Sequence, residues 1–175
     1  VIDTDSLKPT NRQKAESISF FLASRLDFKI KGTDKAINGF KKLLSRYDAK
    51  LYCLEFGSDV QKTRQLVKNL GIEKNVIFYN FVASKPVLAE LFQKHDATIC
   101  NLSIGNIGTT ELEAMACDRH VISYSKPLSK MESEMPILNA HTDDDVYSRM
   151  IDVCEQRNLP TGMRSFVREN YGIEK

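Results

Sequence analysis

A surplus of charge of either sign is missing, since 25 Lys and Arg stand against 23 Asp and Glu for a net charge of +2. Wholesale nucleic-acid binding needs a concentrated basic face, so any anion site here must be local. Also missing is any apolar run approaching the ~20 residues that a bilayer-spanning helix requires. The first residues, Val1 to Pro9, lack the charged-then-apolar-then-small order of a signal peptide. The four cysteines, Cys53, Cys100, Cys117 and Cys154, show no Cys-x-x-Cys spacing, and two of them sit inside apolar runs. Free thiols there behave as small hydrophobes, which points to a reducing, cytosolic compartment and no metal. No repeat with a period of about 20 to 50 residues and no low-complexity tract is present, which removes solenoids and arrays.

What is there suits one soluble domain. A chain of 175 residues, 42% hydrophobic and 27% charged, is long enough to bury roughly 70% of its unfolded surface without a disulfide or a metal. From Ser17 onward, short β-rich runs alternate with helical patterns, as βαβ units on a parallel sheet require. The strands read ISFFLAS from Ile18, KLYCLEF from Lys50, NVIFYNFV from Asn75, ATICNL from Ala97 and HVISYS from His120, with PILNA near Ile137 as a short sixth. Between the first two, Ala36, Ile37, Phe40, Leu43 and Leu44 fall at helical spacing and form one apolar face. Further helices are expected from Asp59, from Lys85, over GTTELEAMAC, over Asp143 to Gln156 and over Pro160 to Tyr171.

Right-handed crossovers between such strands give a doubly wound sheet of order 3-2-1-4-5-6, with ligands outside the strand carboxyl ends where the order reverses. That directs attention to the loops after Ser24 and Leu102. The first, SRLDFKIKG, sets Arg25, Lys29 and Lys31 within seven residues. Arg offers a planar fork for phosphate oxygens and Lys a mobile point charge, a combination suited to a diphosphate. The second, SIGNIGTTELEAMAC, places Gly105 and Gly108 around Asn106 and Ile107, ahead of Thr109, Thr110 and a clear helix. Glycines admit close backbone approach, and a helix N-terminus presents free N–H groups with partial positive charge. The same letters also spell ordinary capping, with Thr109 or Thr110 as the N-cap. Within the helix, Glu113 is expected nearer the sheet edge and Glu111 solvent-facing or capping.

In order along the chain, SRLDFKIKG resembles the GRLxxxKG phosphate loop, KNVIFYNFV resembles xxVxFxGxV, HDATICNLS resembles ADxxxxPS and ELEAMACDRHVIS resembles xxEAMAxGxPVIA. LYCLEFG further resembles the strand ending in Gly that opens the next turn. The chain therefore resembles the C-terminal domain of GT-B glycosyltransferases of the group-1 (family 4) type. The resemblance implies a three-layer, Rossmann-like α/β domain at 17–175. It also implies a linker at 1–16, since VIDTDSLKP is similar to GVDxxxFxP, from a missing N-terminal domain. By the same resemblance Arg25 and Lys31 neutralise the donor diphosphate as charge develops on the leaving oxygen. Glu113, the second Glu of the E-x7-E motif, holds the ribose. Gly105, Asn106, Ile107, Gly108 and Thr109 lie beneath the phosphates and donor sugar, and Phe81 and Val82 line the base. The first Glu of that motif, which touches the sugar's hydroxyls, is replaced by Gly105, so sugar recognition must differ here. Asp118 and His120 stand for the usual Gly and Pro, and Lys31 lies one residue later than usual relative to Arg25.

The resulting expectation is the donor-binding half of an enzyme that moves a hexosyl group from a nucleoside diphosphate sugar to an acceptor, with retention of configuration. The acceptor site and any general acid or base would lie on the other domain, through which peripheral membrane association is open, and this piece alone would hardly catalyse. The nucleotide sugar is substrate, so no cofactor is implied. No Asp-x-Asp motif at the donor loops asks for a divalent ion. Two other readings stay open: a non-catalytic nucleotide-sugar-binding scaffold, and a GT-B epimerase or phosphorylase relative. His95 and Asp96 at a helix end read as structural, and His141 as loop or cap. Tyr124, Ser125 and Lys126 follow the fifth strand close to the cleft.

Overall fold

The computed structural model describes residues 1–9, 17–81 and 83–173. Val82, expected at the base, and residues 10–16 of the expected linker lie outside these. Six strands form one parallel sheet: β1 (Ile18–Leu22), β2 (Ala49–Leu54), β3 (Val76–Tyr79), β4 (Ala97–Ile99), β5 (His120–Ser123) and β6 (Leu138–Asn139). Their order is β3-β2-β1-β4-β5-β6, as the doubly wound reading requires. Register runs through Phe20 opposite Leu51 and Ala97, and through Ile99 opposite Ile122.

A strand covered on both faces reads as a continuous apolar run, because successive side chains enter opposite cores. In β1, Phe20 and Leu22 enter one core and Phe21 the other, all with no exposed surface. The first core is closed by α1 (Thr33–Leu43), α2 (Val60–Asn69) and α6 (Asp143–Glu155), and the second by α3 (Lys85–Lys94), α4 (Thr109–Ala116) and α7 (Met163–Tyr171). The domain is therefore three layers deep. In α1, the predicted apolar face is the buried one, Ala36, Ile37, Phe40 and Leu43. Truncating a side chain such as Phe40 to Ala would cost about 3–5 kcal/mol.

Helix ends follow local chemistry. At α6, Thr142 Oγ1 accepts from the Asp145 amide at 3.1 Å while the Asp145 carboxylate accepts from the Thr142 amide at 2.9 Å. This reciprocal capping box holds two otherwise unpaired donors. The last helix begins at Met163, three residues later than the sequence suggests, because Gly162 takes up a left-handed conformation. A four-residue helix, α5 (Lys130–Ser133), follows β5 and has no apolar periodicity to announce it. At the chain's start, Ile2 and Leu7 are buried in the second core, and the Ile2 amide donates to the Tyr171 carbonyl at 2.7 Å. The Arg164 guanidinium fastens this segment, donating to the carbonyls of Thr4, Leu7 and Ala116.

Candidate functional site

β1 and β4 are neighbours from which the chain departs in opposite directions, so their carboxyl ends open the crevice. The loop leaving β1 is built around Asp27, whose side chain is nearly buried. Its Oδ1 accepts from the Ile30 amide at 2.7 Å, and its Oδ2 accepts from Ser58 Oγ at 3.2 Å and stands 3.7 Å from Arg25 Nη2. The loop is also tied to the next one, since the Phe28 amide donates to Asp59 Oδ2 at 2.8 Å and the Leu26 amide to the Phe56 carbonyl at 2.8 Å. Arg25 is thus oriented yet still 47% exposed at its side chain, and Lys31 forms no ion pair among the described residues.

Arg25 and Lys31 share a cavity of about 200 Å³ with Ser24, Asn101, Thr110 and Glu111. Lys29, grouped with them by sequence, is exposed and does not line it. Ser24 Oγ is buried and finds no hydrogen-bond partner among the described residues. A buried hydroxyl left so costs about 1–3 kcal/mol, which an oxyanion seated between the two cations would relieve.

The opposite wall is the start of α4. Here the structure corrects the sequence on one point and chooses between two alternatives on another. The N-cap is Gly108, with Thr109 and Thr110 already inside the first turn. Of the two readings of Glu111 the structure takes the capping one: it is 4% exposed, accepts from the Gly108 amide at 3.1 Å and the Asn101 amide at 3.3 Å, and lies 3.1 Å from Ser123 Oγ, whose single proton is shared with the Asn101 carbonyl at 2.8 Å. One carboxylate therefore joins β4, β5 and the Gly-bearing loop. Asn101 extends the brace, its Oδ1 accepting from the Ser103 and Ile104 amides and its Nδ2 donating to Asn106 Oδ1 at 3.2 Å. Gly105, Asn106, Ile107 and Gly108 form this loop but line none of the three cavities around the helix start.

The second cavity, about 380 Å³, shares Ala23, Phe56 and Thr110 with the first and extends to Leu54, Asn80 and Phe81. Phe56 and Phe81, 50% and 47% exposed, give it flat apolar walls suited to a planar ring. The third, about 300 Å³, is lined by Thr109, Glu113, Lys85 and Pro86 with Ile2 and Leu7. Burial pushes the Glu113 carboxyl above its usual range, against the opposing pull of the Lys85 ammonium 3.8 Å away. Phosphate-sized, ring-sized and Glu113-bearing spaces thus surround one helix N-terminus.

Beyond β5 and β6, Tyr124 and His141 stack with ring centroids 4.0 Å apart. Tyr124 Cε1 lies 2.9 Å and Lys126 Cβ 3.0 Å from where a side chain at Gly105 would begin. His141 reads as a loop residue from sequence, and nothing local signals this pairing across 17 positions. His95 is structural, buried with Nδ1 3.1 Å from Ser19 Oγ and packed against Phe21 and Tyr52. His120 begins β5, and burial holds its imidazole below the usual value. Among the described residues no helix is long and apolar enough to cross a membrane.

The comparisons agree with this architecture. The fold matches the crystal structure of the C-terminal domain of a glycosyl transferase group 1 family protein from Francisella tularensis with a TM-score of 0.80, at 19% identity over 99% of this chain and 100% of that one. Anabaena HepE, solved in complex with UDP-glucose, matches with a TM-score of 0.77 at 15% identity, over 98% of this chain and 52% of its own. N-acetyl-alpha-D-glucosaminyl L-malate synthase of Bacillus anthracis is 34% identical over 89 residues, 51% of this chain and 23% of the relative, so this chain spans only part of the curated relative's length. The family model of glycosyl transferases group 1 matches residues 3–131, and the chain belongs to that family.

Proposed function

We propose that this domain binds a nucleoside diphosphate sugar and serves as the donor half of a retaining hexosyltransferase. The observation that carries the reading is the 200 Å³ cavity in which Arg25, Lys31 and the unpartnered Ser24 hydroxyl meet at the N-terminus of α4. Two cations, an orphan hydroxyl and unpaired helix amides all favour a dianionic diphosphate. The charge that grows on the leaving oxygen in transfer is stabilised by the same groups without reorganisation. The base enters between Phe56 and Phe81, and the ribose hydroxyls donate to Glu113. The UDP-glucose bound by HepE, which shares the fold, supports this assignment of ligand class. The acceptor and any general acid or base belong to a second domain across the cleft, so transfer requires a longer chain.

A thermal-shift titration with UDP, GDP, ADP and their common sugar conjugates tests the reading. Ligand at a hundredfold its Kd adds about 2.7 kcal/mol, a rise of several degrees for a domain this size. A base-selective rise is expected. No rise with any nucleotide at millimolar concentration would remove the donor site from this domain.

A further inference from the structure

With the ring-sized cavity over β2 and β3 and the cations over β1, a nucleoside diphosphate laid between them sends its third moiety toward the ends of β4, β5 and β6. The surface there is formed by Gly105, Tyr124, Lys126 and His141. Gly105 is held at φ 85°, and the Lys126 amide donates to its carbonyl at 2.8 Å. A side chain at position 105 would be both strained and obstructed, because its Cβ would meet Tyr124 Cε1 at 2.9 Å and Lys126 Cβ at 3.0 Å. Tyr124 packs against the His141 ring, with centroids 4.0 Å apart. His141 Nδ1 lies 3.2 Å from the Leu102 carbonyl oxygen, which can only accept, so Nδ1 carries a proton.

The charge on this surface has one sign. Lys126 is exposed and forms no ion pair among the described residues. The nearby carboxylates are engaged: Asp145 with the amides of His141 and Thr142, Asp143 and Asp144 with Lys42, and Glu111 beneath the loop. Lys126 brings to this wall a charge that no partner among the described residues neutralises, and a carboxylate gains from it a charge-assisted hydrogen bond that a neutral hydroxyl does not.

We propose that the donor sugar carries a carboxylate, as a hexuronic acid does, and that Lys126 holds it beside the Tyr124–His141 wall. The proposal rests on the donor-site reading above.

Calorimetry on this chain with matched pairs decides it: UDP-glucose against UDP-glucuronate and GDP-mannose against GDP-mannuronate, with bare UDP and GDP as references. A charge-assisted hydrogen bond is expected to give the acidic conjugate about tenfold tighter binding. Lys126→Ala should erase that preference and Lys126→Glu reverse it, with circular dichroism melts checking that each variant is folded. Equal binding of the pair, tighter binding of the neutral sugar, or a preference that survives Lys126→Ala overturns the proposal while bound UDP or GDP leaves the donor site standing. Absence of binding by every nucleotide removes the donor site and the proposal with it.

Discussion

The backbone amide of Leu102 donates to the carbonyl of Lys31 at 3.0 Å, joining the loop after β1 to the loop after β4. The Leu102 carbonyl is held in turn by Lys35 Nζ at 2.9 Å, from the first turn of α1. The two loops are thus one backbone unit rather than independent of each other. Gly32 permits that contact. It stands at φ 69°, and a Cβ there would lie 2.8 Å from Ser103 Oγ and 3.0 Å from Leu102 Cβ.

Gly32→Ala is therefore expected to destabilise the domain by about 2 kcal/mol through strain and enforced separation of the loops. Urea unfolding measures the loss, and nucleotide affinity should fall in the same variant. A stable variant with unchanged affinity would show that the two loops act independently.

Glu111→Ala leaves the Asn101 and Gly108 amides without their acceptor, while Ser123 Oγ keeps the Asn101 carbonyl at 2.8 Å, a cost of about 2–4 kcal/mol. Glu111→Gln keeps one carbonyl oxygen and should lose less. Amide hydrogen exchange at Asn101 and Gly108 reads the release directly, and equal protection in the Ala variant and the parent would deny Glu111 its bracing role.

Asp59 is held below the usual carboxylate range chiefly by the Phe28 amide it accepts, with help from Lys62. A depressed folded value means that its stabilisation is complete above the ordinary aspartate pKa of about 3.9 and is lost as pH falls through the folded value. Asp59→Asn should thus be less stable than the parent near neutrality and converge with it in strong acid. Thermal melts across that range check the sign, and a constant offset at every pH would contradict it.

Glu113 has the opposite sign. Because burial raises its carboxyl, the charged form opposes folding above the raised value, and that penalty fades as pH falls toward the ordinary range. Glu113→Gln should therefore stabilise the free domain at neutral pH while weakening binding of a nucleotide sugar whose ribose hydroxyls donate to the carboxylate. In the parent that affinity should drop as pH falls through the raised value, since the diester diphosphate does not titrate there. Calorimetry at several pH values would show a flat profile if Glu113 does not touch the ligand.

The sheet order, the two loops that meet at the crevice and the apolar face of α1 were legible in the sequence, because each depends on periodicity, on the crossover rule or on residues close together in the chain. Arg25 and Lys31 do meet in one cavity with the α4 start. What escaped depends on contacts distant in sequence. Glu111 reads as a solvated or capping first-turn carboxylate, and the capping contact with Gly108 is there, but its burial follows only from Asn101 and Ser123, drawn from β4's exit and β5, which converge on it. Gly108 rather than a threonine is the N-cap, and its own amide donates to Glu111. The pairing of Tyr124 with His141 follows from the β5–β6 register, Ser123 opposite Asn139, which no local pattern encodes.

The central claim is that Arg25 and Lys31 bind the diphosphate of a donor nucleotide, and the most direct measurement is nucleotide affinity in the Arg25→Ala, Lys31→Ala double variant. Both side chains are partly exposed and outside the core, so the fold should survive, as circular dichroism would show. Loss of two charged contacts at about 1.5–3 kcal/mol each predicts a fall in affinity of at least a hundredfold. An affinity within twofold of the parent's, in a folded variant, would contradict the account.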